Sequence, residues 1–233
     1  MKIIAVIPAA GTGSRAGFQK NKILQKVGGS SVLRRAAAAF ARHPLIAGTL
    51  VCVNAGEREE IERELAGLPN LSFAAGGKTR TASVKNALEA LAGLPSPPDY
   101  VLIHDGARPF VTEKLIDDCI AAARAFGSAV CALPCTDTAV LGESGFITGT
   151  VERDKLFTLQ TPQGFAFAPL LEAYRKIGAD DSFTDDSGVY KKYVAPPRLF
   201  EGDRRNVKLT FAEDFRMDEY RTGVGVDTHR FGA

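Results

Sequence analysis

A five-residue apolar run, Ile3-Ile4-Ala5-Val6-Ile7, passes at Pro8 into the turn Pro8-Ala9-Ala10-Gly11-Thr12-Gly13-Ser14-Arg15, with a further cation at Lys22. A short, continuous, β-branched run predicts a strand buried on both faces, and such strands belong in parallel sheets covered by helices. The turn then sits at the strand's carboxyl end, where open α/β sheets bind their ligands. Gly11 and Gly13 permit backbone conformations closed to other residues and bring N–H groups up to an anion. Arg15 and Lys22 add the charge that bare N–H groups lack. The combination predicts a polyphosphate cradle.

A lone G-x-G after a strand is also ordinary loop punctuation, and the distribution of charge decides between the two readings. Between Met1 and Gly56 there is no Asp or Glu, while Lys2, Arg15, Lys20, Lys22, Lys26, Arg34, Arg35 and Arg42 are cationic. The whole chain carries 29 basic and 27 acidic residues, so the charge is segregated and the protein is not basic overall. A local positive field suits a small polyanion, whereas a nucleic acid demands a basic stripe across the domain. Arg34 and Arg35 read as the solvated face of a helix. A dinucleotide site wants G-x-G-x-x-G and an acidic residue about twenty positions on. Here the glycines run Gly11-x-Gly13-x-x-x-Gly17, and the first carboxylate is Glu57. Gly77-Lys78-Thr79 imitates a P-loop, but Ser72 stands where its first glycine belongs.

At 233 residues and 45% hydrophobic, the chain can bury a full core in one α/β domain. No apolar stretch approaches the roughly eighteen residues of a membrane helix. The amino-terminal run also ends at Pro8, short of the roughly 7–15 apolar residues of a signal peptide. The expectation is a cytoplasmic protein without a membrane or nucleic-acid partner. Cys52, Cys119 and Cys131 lie in apolar runs, Cys135 follows the last of them, and no C-x-x-C occurs, so buried free thiols are expected.

Strand and helix patterns alternate. Ser30-Ser31 caps a helix to about His43 whose stripe is Val32, Ala36, Ala39 and Phe40. A strand at 49–53 precedes a charged helix from Glu57 to about Leu65. A short strand at 71–74 leads through Gly76-Gly77 into a helix with Val84, Ala87, Leu88 and Leu91 on one face. The sequence 100–103 is another buried strand, Thr112 starts a helix to about Phe126, and 128–133 is a fifth strand. This spacing predicts a Rossmann-like α/β fold, a mostly parallel sheet with helices on both faces. After Pro134 the pattern changes, and residues 136–160, around Gly142-Glu143-Ser144-Gly145, read as a projecting β-hairpin arm. An isolated two-stranded hairpin is marginal in water, so a second subunit is its simplest support. Helices return at about 169–177 and 185–193, and Thr210-Phe211-Ala212-Glu213 reads as a capping box for a last helix. His104-Asp105 follows the 100–103 strand, so Asp105 faces the same crevice as the glycine turn. It is either a turn-capping aspartate or an oxygen ligand for the Mg²⁺ that accompanies a nucleoside triphosphate. His104 reads equally as a satisfied core residue and receives no role.

An ordered set of motifs covers most of the chain: Pro8-Ala9-Ala10-Gly11-x-Gly13-x-Arg15, Lys22, Gly76-Gly77-x-x-Arg80-x-x-Ser83-Val84, His104-Asp105-x-Ala107-Arg108-Pro109, Asp137-Thr138, Val151-x-Arg153, Thr161-Pro162-Gln163, Thr184-Asp185 and Asn206-x-Lys208. Taken in order, it resembles the 2-C-methyl-D-erythritol 4-phosphate cytidylyltransferase family. The resemblance implies a nucleotidyltransferase fold over residues 1–222, a homodimer clasped by the arm, and CTP, methylerythritol phosphate and Mg²⁺ as ligands. It implies nucleotide contacts from Ala9, Ala10, Gly11, Gly13, Gly77, Ser83, Asp105 and Ala107, and catalytic charge from Arg15, Lys22 and Lys208. Thr138, Arg153, Thr161, Thr184 and Asp185 are then substrate residues. Two departures stand out: Asn21-Lys22-Ile23-Leu24 replaces the family's Pro-Lys-Gln-Tyr, which leaves Lys20 as an alternative to Lys22, and Gly106 replaces an alanine. Two other classes stay open, a sugar-nucleotide or molybdenum-cofactor nucleotidyltransferase and a non-catalytic nucleotide-binding dimer.

The final stretch, 223–233, reads on its own as a disordered tail. It also resembles the opening of the 2-C-methyl-D-erythritol 2,4-cyclodiphosphate synthase family, which implies a bifunctional chain in which Asp227 and His229 bind Zn²⁺. Two ligands alone cannot close a tetrahedral zinc site, so that ion belongs only to a further domain.

Overall fold

The computed structural model describes residues 1–11 and 21–219. The first strand, β1 (Ile3–Pro8), is buried on both sides as its composition dictates. Ile3, Ala5 and Ile7 enter one hydrophobic cluster, while Ile4 and Val6 enter the other. The first cluster is closed by α1 (Val32–Ala41), α2 (Arg58–Leu65) and α4 (Glu113–Phe126). The second is closed by α3 (Arg80–Ala92), α5 (Phe167–Arg175) and α6 (Asp186–Tyr193). Four of these helices start on a side-chain cap: Ser31, Thr79, Thr112 and Asp185 each accept a first-turn N–H, the geometry that satisfies an otherwise orphaned donor. Thr79 of the P-loop imitation is thus a helix cap.

Seven strands form the central sheet in the order β5 (Leu71–Ala75), β4 (Gly48–Val53), β1, β6 (Tyr100–Ile103), β10 (Phe157–Ala166), β7 (Ser128–Pro134) and β11 (Leu199–Glu201). All neighbours run parallel except β10, which is antiparallel to both β6 and β7. The chain winds outward from β1 through β4 to β5 and returns to β1's other side at β6. The loops after β1 and β6 therefore flank a topological switch point, the place where such sheets bind ligands. A short hairpin, β2 (Lys26–Val27) with β3 (Ser30–Ser31), lies outside the sheet.

Three expectations need correction. Residues 157–160 belong to β10 in the main sheet, so the hairpin itself is β8 (Val140–Glu143) with β9 (Phe146–Thr150). Its turn residues Ser144 and Gly145 both have positive φ, which matches the twist of the flanking strands. The Thr210 capping box does not form: Asp214 accepts the N–H groups of Thr210 and Phe211, and a 3₁₀ helix follows at Ala212–Glu219. Arg34 and Arg35 are not simply solvated. Arg34 donates to the carbonyls of Glu64 and Ala66 at the end of α2, and Arg35 lies over the Phe110 ring.

Close backbone approach explains two glycines. A Cβ on Gly164 would come within 2.9 Å of Cys119 Sγ, so its absence lets α4 lie against β10. A Cβ on Gly76 would meet Ala10 Cβ at 2.1 Å, with the Val53 carbonyl 3.2 Å away. Gly76→Ala is therefore expected to cost roughly 1–3 kcal/mol of stability through overpacking, read from denaturant midpoints. An unchanged midpoint would show that Ala10 can retreat freely.

Candidate functional site

The loops after β1, β5 and β6 enclose a cleft of about 300 Å³ at the switch point. Ala9, Ala10, Gly11, Lys22, Gly77, Ser83, Asp105, Ala107 and Lys208 all line it. Thr161, Thr184 and Asp185 line an adjoining hollow of about 290 Å³ that shares Arg80, Asp105 and Lys208 with the cleft. Thr138 and Arg153 lie apart, in a hollow at the root of the arm. Gly13, Arg15, Lys20, Asp227 and His229 lie outside the described residues.

Backbone geometry sets the side of the cleft formed by the loops after β1 and β5. Ala9 N–H donates to the Cys52 carbonyl at 2.8 Å, extending the β1–β4 pairing into the loop. Ser83 Oγ accepts from Gly77 N–H at 3.0 Å and donates to the Thr79 carbonyl at 2.9 Å, which pins the turn ahead of α3. A Cβ on Gly77 would fall 2.4 Å from Ala82 Cβ, so this turn requires glycine. At Gly106 an added Cβ would press on Leu33 Cδ1 at 3.1 Å. Asn21, visible in the sequence only as a departure, has a structural role: its amide donates to the Gly11 carbonyl at 2.7 Å and to Glu57 at 3.1 Å. The two ends of the glycine-rich loop are thereby tied together at its base.

Charges converge on the boundary between cleft and hollow. Asp105 receives Arg80 Nε on one oxygen at 3.0 Å and Lys208 Nζ on the other at 2.8 Å. Burial works to raise its pKa, but the Arg80 and Lys208 charges hold the carboxyl well below the usual range. Arg80 also donates to Asp186 at 2.7 Å, and Asp186 is fully buried with the Tyr174 hydroxyl as its other partner. Burial disfavours the Arg80 charge, and the two carboxylates more than offset it, so its pKa moves up. Lys22 Nζ donates to the Leu209 carbonyl at 3.0 Å, bringing the first loop onto the segment that carries Lys208.

Behind Asp105 lies a buried polar chain. Asp105 N–H donates to Thr161 Oγ1 at 3.0 Å, Thr161 Oγ1 is 3.1 Å from His104 Nδ1, and His104 Nε2 is 3.0 Å from the Arg108 carbonyl. Burial pushes the imidazole pKa down to about 4 from its ordinary 6.5. The unfolded chain thus takes up a proton that the fold refuses across that window. Stability is expected to fall as pH drops from about 6.5 to 4, by roughly 3 kcal/mol in all. Denaturant titrations of wild type and His104→Gln across this range test the origin, since the variant should lose this component of the pH slope.

A second group of ionisable residues lies where the buried His43, just past the end of α1, meets exposed carboxylates of α4. The ligand atoms of His43, Glu113 and Asp117 lie within 4.8 Å of one another, a cluster of the kind that can hold a divalent cation. His43 Nδ1, however, accepts the Leu45 N–H at 3.2 Å, so in the neutral ring the proton sits on Nε2, facing Asp117 at 3.3 Å. An ion at Nε2 would have to displace that proton.

Among the described residues no helix is long and apolar enough to cross a membrane. Cys52, Cys119 and Cys131 are buried free thiols, and Cys135 is a partly exposed one.

The sequence model of the 2-C-methyl-D-erythritol 4-phosphate cytidylyltransferase family (IspD) matches residues 3–222. A bifunctional enzyme IspD/IspF of Bradyrhizobium sp. (strain ORS 278) is 44% identical over 98% of this chain and 61% of that protein. The corresponding bifunctional enzyme of Nitrobacter winogradskyi is 42% identical over 98% of this chain and 60% of its own length. The chain thus spans about three fifths of these curated relatives. Among solved structures, the 2-C-methyl-D-erythritol 4-phosphate cytidylyltransferase of Thermus thermophilus superposes with a TM-score of 0.74 at 34% identity, over 94% of this chain and 98% of that one. The bifunctional IspDF of Campylobacter jejuni shares the fold, with a TM-score of 0.76 over 93% of this chain and 54% of that one.

Proposed function

This chain belongs to the 2-C-methyl-D-erythritol 4-phosphate cytidylyltransferase family, and from that premise we propose that it transfers CMP from CTP to 2-C-methyl-D-erythritol 4-phosphate. A phosphate oxygen of the sugar phosphate attacks the α-phosphorus in line, the bond to the β-phosphate oxygen breaks, and pyrophosphate leaves. The products are CDP-methylerythritol and pyrophosphate. The observation that carries this reading is the shared wall of Arg80, Asp105 and Lys208 between a glycine-lined cleft and a second polar hollow. Two anions bound on either side of such a wall meet where cationic side chains offset their repulsion, and phosphoryl transfer needs little else from a protein.

In this reading Ala9, Ala10, Gly11, Gly13, Gly77, Ser83, Asp105 and Ala107 hold the nucleotide, and Arg15 and Lys22 face its phosphates. Thr184, Asp185 and Lys208 surround the sugar phosphate, with Thr161 at the floor of the same hollow. Asp105 is the one carboxylate lining the described cleft, and Mg²⁺ bound there with the triphosphate would draw its ligands from Asp105 and phosphate oxygens and screen their charge. Both Asp105 oxygens already face cations, so such an ion competes with Lys208.

Thr138 and Arg153 stand away from this chain's own cleft, which supports a homodimer in which the arm carries them to a partner's hollow. Leu141, Phe146 and Ile147 on the hairpin are 58%, 76% and 71% exposed, an apolar surface a second copy would cover. Residues 1–222 form the cytidylyltransferase domain, and 223–233 begin a cyclodiphosphate synthase domain with Asp227 and His229 as zinc ligands. The bifunctional relatives support that division. A cytoplasmic location fits the same reading.

Pyrophosphate release, measured with Mg²⁺ and each nucleoside triphosphate in turn, with and without methylerythritol phosphate, tests the assignment. CTP is expected to be the productive nucleotide, and only with the sugar phosphate present. Release with another nucleotide and another acceptor would overturn it. Arg153→Lys keeps the charge but loses the bidentate fork, so it is expected chiefly to raise KM for the sugar phosphate. A fall confined to kcat would place Arg153 elsewhere.

A further inference from the structure

We propose that His104 is a positioning residue for the transfer site, its neutral ring fixing the direction of the Thr161 hydroxyl and locking together the three segments that carry Asp105, Thr161 and Lys208. This rests on the cytidylyl-transfer reading, while the geometry beneath it stands by itself. His104 is wholly buried and its ring packs on Phe40 at 4.8 Å between centroids. The Arg108 carbonyl can only accept, so the nitrogen facing it, Nε2, carries a proton. A wholly buried neutral ring then has no proton on Nδ1, which accepts. Asp105 N–H can only donate, so Thr161 Oγ1 accepts there and sends its own proton to Nδ1. Every polar atom in this chain has one permitted role.

Two consequences follow for the pocket. First, Thr161 lines the hollow beside Lys208, yet its proton is committed to the ring. A phosphate oxygen offers no proton to the oxygen's remaining lone pair, so Thr161 serves the phosphate through the backbone it anchors. Second, the ring's hold on Arg108 reaches further. Arg108 donates to the Asn206 carbonyl at 2.7 Å, and Asn206 Nδ2 donates to the Thr161 carbonyl at 2.7 Å. Leu209 N–H bonds the Ala107 carbonyl at 2.9 Å. The loop at 104–108, the bend of β10 at 161 and the segment at 206–209 thus form one clamp, and His104 contacts the first two through its two ring nitrogens. The spacing of Asp105 and Lys208 depends on it.

Histidine ¹⁵N spectra of the wild-type protein test the ring directly, with the His104 signals assigned by their loss in H104Q. Expected are a protonated Nε2 and an unprotonated Nδ1 at neutral pH; a charged or Nδ1-protonated ring overturns the proposal. In kinetics, H104Q keeps a donor toward the Arg108 carbonyl but offers nothing at the Nδ1 position. It is expected to lower kcat per folded molecule by about ten- to hundredfold with KM for CTP little changed. T161V should show a similar loss, and H104Q/T161V should lose no more than the worse single variant, as groups acting as a unit do. An unchanged kcat in H104Q, or losses that multiply, overturns the proposal. If neither variant folds, the His104 signals are assigned as those that persist in H43Q and in H229Q, and the wild-type spectrum decides. A wild-type protein inactive toward CTP and methylerythritol phosphate would count against the transfer reading and not against the ring assignment.

Discussion

Replacing Lys22 by alanine is expected to lower turnover about a hundredfold or more, the scale associated with removing one preorganised charge-stabilising donor. Lys22 lines the cleft just after the glycine-rich loop, and its ammonium already reaches across to the carbonyl of Leu209, next to Lys208. A triphosphate entering the cleft would draw that ammonium onto its oxygens, where it stabilises the charge that builds as pyrophosphate departs. The effect should fall mainly on kcat, because the interaction strengthens in the transition state. Steady-state pyrophosphate release over a range of CTP concentrations separates the two parameters. Near-normal turnover would move the role to Lys20, two residues upstream.

Arg80→Met should have the largest effect on stability, costing about 3–5 kcal/mol, because it strands carboxylates that were buried with a partner. Asp186 has no exposed surface and would retain only the Tyr174 hydroxyl, while Asp105 would lose one of its two close cations. Urea midpoints of R80M measure the cost. Adding Asp186→Leu should recover a large part of it, since the stranded charge is then gone. A loss below about 1 kcal/mol in R80M would mean that water reaches Asp186 and that the pair carries little.

The amino-terminal half was legible because its signals are local. In β1 each successive side chain enters the opposite cluster, as a continuous β-branched run requires, and the caps at Ser31 and Thr112 stand where the helix patterns begin. The carboxyl-terminal strands were not. Pro162 and Gly164 argue against a central strand, yet β10 accepts both, with its pairing to β7 shifting register between Leu159 and Gln163 and the glycine making room for Cys119. β11 is three residues long and gives no period to detect. At Thr210 two carboxylates compete for the same N–H groups, and Asp214 takes them ahead of Glu213.

The candidate site divides in the same way. Ala9 to Gly11, Gly77 and Asp105 were found because glycine and strand-end position carry meaning in one stretch of chain. The Arg80–Asp186 pair joins residues 106 apart, and nothing near Asp186 distinguishes it from a solvated helix-capping carboxylate. Asn21 was visible as a departure from the family pattern, but its bond to Gly11 emerges only when the loop closes on itself. His104 was recognisable as a candidate core histidine, whereas its partners come from another strand.

The antiparallel insertion of β10 sets an order of assembly on the nascent chain. Strands β5, β4, β1 and β6 find all of one another within residues 3–103, ahead of every other strand of the central sheet. β7 has no sheet neighbour until β10 is made, because both of its partners lie downstream. Pulse-labelled hydrogen exchange during refolding is expected to protect β1 and β4 before β7, and the reverse sequence would disprove it. On a chain made from the amino terminus, the four-strand side of the sheet can therefore close before the strands that complete the other side exist.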